Sequence, residues 1–170
     1  SIASVSAATY EKHTLALEPE TPNVSSADVA AGDVSVNVKM RIYNDPGTST
    51  YDMAFAFDDA ADKAGFTIAN FDEDATKKSK IYKEGYMLTY NDKLLIGLSG
   101  NGIDQVAREG DKYYFADFDV VIPQGTADGT YSLSFSKANL SSWGTSGTET
   151  NIVALSPDIV PAVITIGNGD

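Results

Sequence analysis

Val34–Tyr43 reads VSVNVKMRIY, in which Val34, Val36, Val38, Met40 and Ile42 alternate with Ser35, Asn37, Lys39 and Arg41. Successive side chains of an extended chain point to opposite faces, so this period of two specifies a half-buried antiparallel strand. Turn chemistry bounds it on both sides: Ala31-Gly32-Asp33 before it and Asn44-Asp45-Pro46-Gly47 after it. Proline presets φ there and glycine admits a positive one. Tyr51–Phe57 (YDMAFAF) repeats the pattern, with Tyr51, Met53, Phe55 and Phe57 on one face and Asp52, Ala54 and Ala56 on the other.

Outward from this pair the chain continues in short strands. His13–Leu17 alternates and stops at Glu18-Pro19-Glu20-Thr21-Pro22, since proline removes a ladder donor. Phe66–Phe71, Tyr86–Tyr90, Lys93–Ser99, Tyr113–Ile122, Tyr131–Ser136, Ile152–Leu155 and Val160–Ile166 read as further strands. Asn91-Asp92 joins Tyr86–Tyr90 and Lys93–Ser99 into a hairpin. Asp72–Tyr82 reads as a short helix or charged loop, Ile103–Gly110 as an irregular or single-turn link, and Leu140–Thr150 as a Ser/Thr/Gly-rich loop around Trp143. No long helix intervenes to make parallel crossovers, so the expected fold is an all-β antiparallel sandwich. Residues 1–12 (SIASVSAATYEK) read as a leader or linker, 13–167 as one sandwich domain and 168–170 as a frayed end.

The 170 residues suffice for one such core, and two domains would be cramped. Lys and Arg number 12 against 24 Asp and Glu, a net charge of −12. That balance argues against nucleic acid, which is gripped by clustered cations, and against anionic membrane surfaces. No apolar run approaches the roughly 18 residues of a membrane helix, so no insertion is expected. Cysteine is absent, which removes disulfides, thiolate nucleophiles and thiol metal sites. The one histidine, His13, has no sequence neighbour to orient it, which argues against a Ser/His/Asp arrangement and against zinc. Asp58/Asp59, Asp72/Glu73/Asp74 and Asp117/Asp119 are carboxylate runs of the kind glycoside hydrolysis uses, but in an acidic chain such runs read as solvated faces. No EF-hand loop is present, leaving an irregular calcium loop near Asp58–Asp62 as the one cofactor site to consider.

The unusual surface lies on two strands. Asp52, Ala54 and Ala56 set one acid among very small side chains, which makes a flat, shallow patch. Lys93–Ser99 is apolar in both phases, with Leu95 on one side and Leu94, Ile96 and Leu98 on the other. A strand apolar on both faces is buried on both, or is covered by a partner on the second. The cover is a loop or helix of the same chain, or a protein docked on the open face beside Tyr86, Leu88 and Tyr90. Two other readings stand beside these: a carbohydrate-binding sandwich stacking sugars on Trp143 or exposed tyrosines, and a structural or adhesive domain with no dedicated site.

In order along nearly the whole chain, these segments resemble a bacterial cohesin module, the receptor half of cellulosome assembly. The resemblance is carried by the Ala31-Gly32-Asp33 turn before Val34–Tyr43, and by Tyr51–Asp58 (YDMAFAFD), similar to the family's third strand with its closing aromatic-Asp pair. It continues through Tyr90–Ile96 (YNDKLLI), similar to the strand 5–6 hairpin, Ile122-Pro123 leading to Ala127–Tyr131 (ADGTY), and Val163–Gly167 (VITIG). It implies a nine-stranded jelly roll, monomeric as an isolated module and secreted or held at the bacterial cell surface. Such a module is non-catalytic and binds the dockerin of another secreted protein, assembling a polysaccharide-degrading complex. Calcium then belongs to the dockerin, and no cofactor is expected in this chain. The family's binding face is formed by strands 8, 3, 6 and 5. Carried over by position, this implies Asp52 and Ala54 from the third strand, Leu88 and Tyr90 from the fifth, and Ile96 and Leu98 from the sixth. Asn101 and Gly102 follow from the loop after the sixth, and Ile152 and Ala154 from an eighth strand near Asn151–Leu155. The hairpin lacks the proline often found after its aromatic, and Asn101 stands near where family members carry an acid, two departures that bear on which dockerin is chosen.

Overall fold

A computed structural model describes residues 10–72, 86–89, 97–106, 114–146 and 149–167. In chain order these form β1 (Thr14–Pro19), β2 (Asn23–Val24), α1 (Ser26–Ala31), β3 (Val34–Tyr43), β4 (Thr48–Phe57), α2 (Asp59–Ala64) and β5 (Thr67–Ala69). There follow β6 (Tyr86–Thr89), β7 (Gly97–Val106), β8 (Tyr114–Ile122), β9 (Gly129–Ser146), β10 (Glu149–Leu155), β11 (Asp158–Val160) and β12 (Ala162–Ile166). The strands build two sheets: a five-stranded one ordered β11-β1-β3-β8-β5, and a seven-stranded one ordered β2-β12-β9-β4-β7-β6 with β10 paired on β9. The fold is the β-sandwich expected from the alternation. Short segments paired at the margins bring the described strands to twelve where nine were expected.

The alternation of β3 is realised residue by residue. Val36, Val38, Met40 and Ile42 are buried, and β3 pairs antiparallel with β8 so that Val36 faces Val120 and Val38 faces Phe118. Across the sandwich, Met53, Phe55 and Phe57 of β4 are buried against them. Phe55 stands at the centre, its ring 6.0 Å from that of Phe118 in the opposite sheet and 4.9 Å, edge-on, from Phe135 of β9. A second aromatic group closes one end, where Phe66 stacks on Tyr131 at 4.8 Å and meets Phe57 edge-on at 6.0 Å.

Asp58 fixes how α2 sits on this core. Its carboxylate accepts from the backbone N–H of Ala61 at 2.8 Å, capping the helix, and from the N–H and hydroxyl of Ser132 on β9, both at 3.1 Å. At the other end Gly65 takes a left-handed φ of 86° and returns its N–H to Ala61 and Asp62. Asp58→Ala should lower the unfolding free energy by about 2 kcal/mol, since it removes a helix cap and leaves the Ser132 donors without their charged acceptor. Urea denaturation checks this. Asp58→Asn, which keeps the cap, should recover part of the loss.

Several sequence expectations need correction. Asp58–Asp62 is a capped helix start where an irregular loop was considered, and Ser25 likewise caps α1 ahead of the Ala31-Gly32-Asp33 turn. Leu140–Thr150 is not a loop around Trp143, because β9 runs on to Ser146 and pairs antiparallel with β10. Its serines and threonines carry no apolar signal, and pairing with β10, with β4 on the other edge as far as Ser141, holds them extended. Similarly, the strand entering at Gly97 continues through Val106, so Ile103–Val106 is strand where a link was expected. Val160–Ile166 is split at Pro161, which lacks a ladder donor: β11 pairs with β1 in one sheet and β12 with β9 in the other. The Asn91-Asp92 turn and all of Asp72–Tyr82 beyond Asp72 lie outside the described residues.

Candidate functional site: the outer face of the seven-stranded sheet

With Met53, Phe55 and Phe57 buried, Asp52, Ala54 and Ala56 emerge on the other face of β4, half-buried in the sheet surface. Register extends this face sideways. Asp52 pairs with Asn139 of β9 and Ser99 of β7, and Ser99 pairs with Met87 of β6. One step on, Ala54 pairs with Lys137 and Gly97, and Gly97 with Thr89.

A bulge determines what β9 contributes. Phe55 pairs with Phe135 but Ala54 pairs with Lys137, so Ser136 is an extra residue without a ladder partner. Before it the inward positions are Tyr131, Leu133 and Phe135, and after it they are Ala138 and Leu140. The phase change turns Lys137 outward, where its Nζ lies 2.6 Å from Asp52 Oδ2 with each side chain about half exposed. The same face carries exposed Asn139 and continues onto β10, where Ala154 pairs with Ser141 and Ile152 with Trp143. Ile152 is 67% exposed and Val153 55%, the most exposed large hydrophobic side chains among the described residues.

The structure therefore gathers Asp52 and Ala54 with the register positions of Asn101, Ile152 and Ala154, since Thr50 pairs with both Asn101 and Ser141. It does not bring in Leu88 and Leu98 by register. Leu98 pairs with Met53 and Leu88 with Leu98, so both occupy the row of a buried residue, and the row of Asp52 is filled by Ser99 and Met87. A one-residue difference in phase moves a whole strand from one face to the other. Gly102 falls where the β4–β7 register shifts, between the Thr50–Asn101 and Thr48–Val106 pairs. Tyr90 and Ile96 lie outside the described residues. Lys137 and Asn139 went unread, because a serine before a lysine gives no sign of an inserted residue.

Other candidates resolve into structure. Asp117 and Asp119 lie on the outer face of the five-stranded sheet, where Asn37 Nδ2 donates to Asp117 Oδ1 at 2.6 Å and Asn70 Nδ2 to Asp119 Oδ2 at 2.9 Å. Beside them Tyr43 donates its hydroxyl to Glu18 Oε1 at 2.5 Å, and burial pushes the Tyr43 phenol well above its ordinary value with that acid adding to the shift. Nε2 of His13 is buried without a hydrogen-bond partner among the described residues, so no hydroxyl is poised against it. Burial pushes this imidazole below its ordinary value, with nearby Asp45 pulling it partly back. Among the described residues no group of three or more His, Cys, Asp or Glu side chains is placed to hold a metal ion, and no helix is long and apolar enough to cross a membrane.

The sequence matches no family model and no curated protein. Solved structures do match. The third ScaB cohesin of R. flavefaciens, in complex with a group 1 dockerin, superposes with a TM-score of 0.58 at 18% identity, over 94% of this chain and 99% of that one. The seventh ScaB type I cohesin of Pseudobacteroides cellulosolvens does so with a TM-score of 0.57 at 15% identity, over 92% and 94%. The chain has a cohesin fold. A non-cellulosomal cohesin from the archaeon Archaeoglobus fulgidus shares it, with a TM-score of 0.51 at 9% identity over 94% of each chain. At such identities the likeness is one of fold. Within the cohesin fold, the run β9-β4-β7-β6 follows the order 8, 3, 6, 5 that the sequence resemblance implies for the binding face. In that order β9 takes the place where Asn151–Leu155 was expected, and Asn151–Leu155 lies in β10, which pairs antiparallel with it.

Proposed function

We propose that the chain is a non-catalytic receptor module that binds a calcium-loaded dockerin on the outer face of its seven-stranded sheet. The observation that carries this reading is a flat sheet face of small side chains, Ala54 and Ala56, around one half-exposed acid, Asp52, on a cohesin fold. Small residues let the backbone of a partner element approach closely, and Asp52 with its neighbours Lys137 and Asn139 supplies directional polar contacts inside the contact area. Exposed Ile152 offers apolar area at one margin. Solved cohesins in complex with dockerins support the choice of partner. On this reading the module works outside the cell or at its surface, within a polysaccharide-degrading assembly, and the calcium is the dockerin's. Calorimetric titration with a panel of dockerins tests it. At least one should bind saturably and one-to-one in calcium, and chelation should abolish the heat while the circular dichroism of this domain stays unchanged. If every dockerin fails to bind in calcium, the proposal is wrong.

A further inference from the structure

The centre of the proposed face is a neutralised charge. Lys137 Nζ lies 2.6 Å from Asp52 Oδ2, and the β9 bulge at Ser136 is what places it there. Were Ser136 paired in ordinary register instead of bulged out, Lys137 would keep the inward phase of Leu133 and Phe135 and could not reach the acid. Bulges recur where a strand must re-aim one side chain next to a working site. The stability gained from the pair is small, because both side chains are about half exposed and surface ion pairs contribute little. Its consequence lies in docking. A carboxylate covered by a partner without a counter-charge is costly to bury, and a bare Asp52 on a chain of net charge −12 would call for a cation from the partner. Lys137 supplies that counter-charge from within. An ammonium has three N–H donors, so the group that holds Asp52 can also receive an acceptor from above.

We infer that Lys137 is the specificity-determining residue of this face, selecting a partner element that brings a carboxylate or a neutral hydrogen-bond acceptor onto its ammonium and turning away one that brings a cation there. This rests on the receptor reading above and names the chemistry of the partner at that site. Like charges brought together across an interface are strongly disfavoured, so the discrimination comes from repulsion as much as from attraction.

The test titrates wild type, Lys137→Met and Lys137→Glu against calcium-loaded dockerins, some acidic and some basic on the helices they present, at low and at moderate salt. Lys137→Met should weaken the dockerins that wild type binds by at least about tenfold and flatten their salt dependence. Lys137→Glu should weaken them further and move preference toward the basic members. Both variants should keep the thermal midpoint within about 2 °C of wild type, as expected for a half-exposed pair. If wild type binds a dockerin and Lys137→Met binds it equally tightly, with the order of preference unchanged, this inference falls and the receptor reading stands. If wild type binds none, both fall.

Discussion

Truncation of Phe55 to alanine is expected to lower the unfolding free energy by about 3–5 kcal/mol, the largest loss of any single substitution considered. The ring is fully buried, stacks at 6.0 Å on Phe118 of the facing sheet and meets Phe135 edge-on at 4.9 Å, so its removal leaves a cavity where the two sheets are joined. Neither neighbour can collapse readily into the gap, since each is held in a paired strand. Equilibrium urea denaturation followed by fluorescence measures the loss. A change below about 1 kcal/mol would mean that Phe55 does not bridge the sheets as described.

One residue away the expected effect is on binding. Ala54 is half-buried on the outer face between Lys137 and Gly97, and Ala54→Trp should leave the fold intact while weakening dockerin binding by about 3 kcal/mol or more, roughly a hundredfold. An indole standing on a flat face holds the partner backbone away across the surrounding contact area. Calorimetry on the folded variant reads the affinity, and a thermal melt confirms that the core is untouched. The adjacent pair Ala54 and Phe55 thus separates the two faces of β4, one governing assembly and the other stability.

Much of the fold is legible in the sequence because its main signal is local. In Val34–Tyr43 and Tyr51–Phe57 the alternate residues Val36, Val38, Met40, Ile42, Met53, Phe55 and Phe57 land in the core, as the pleat requires once one face is buried. What is not legible depends on pairing. Nothing in Ser141, Ser142 or Thr145 distinguishes a strand from a loop, and only pairing with β10, joined at Ser141 by β4, holds them extended. The helix α2 does leave a signal, Asp58 and Gly65 flanking it as cap and stop, but the run of acids there draws attention first as carboxylate oxygens.

The candidate site divides along the same line. Asp52 and Ala54 follow from alternation within one strand. The phase of Leu98 relative to Met53 is set by the register of β7 on β4, which involves residues far apart in the chain, and Leu98 pairs with Met53. Lys137 depends on a bulge, a one-residue insertion that composition does not mark.

The central claim is that a visiting module covers the outer face of the seven-stranded sheet. Backbone amide exchange, compared with and without a calcium-loaded dockerin, tests it most directly, because it maps where the partner sits. Slowed exchange should fall along β4 and β9 around Asp52, Ala54 and Lys137, with β1 and β3 unchanged. Protection appearing instead on β1, β3 and β8, with β4 and β9 left as in the free protein, would contradict it.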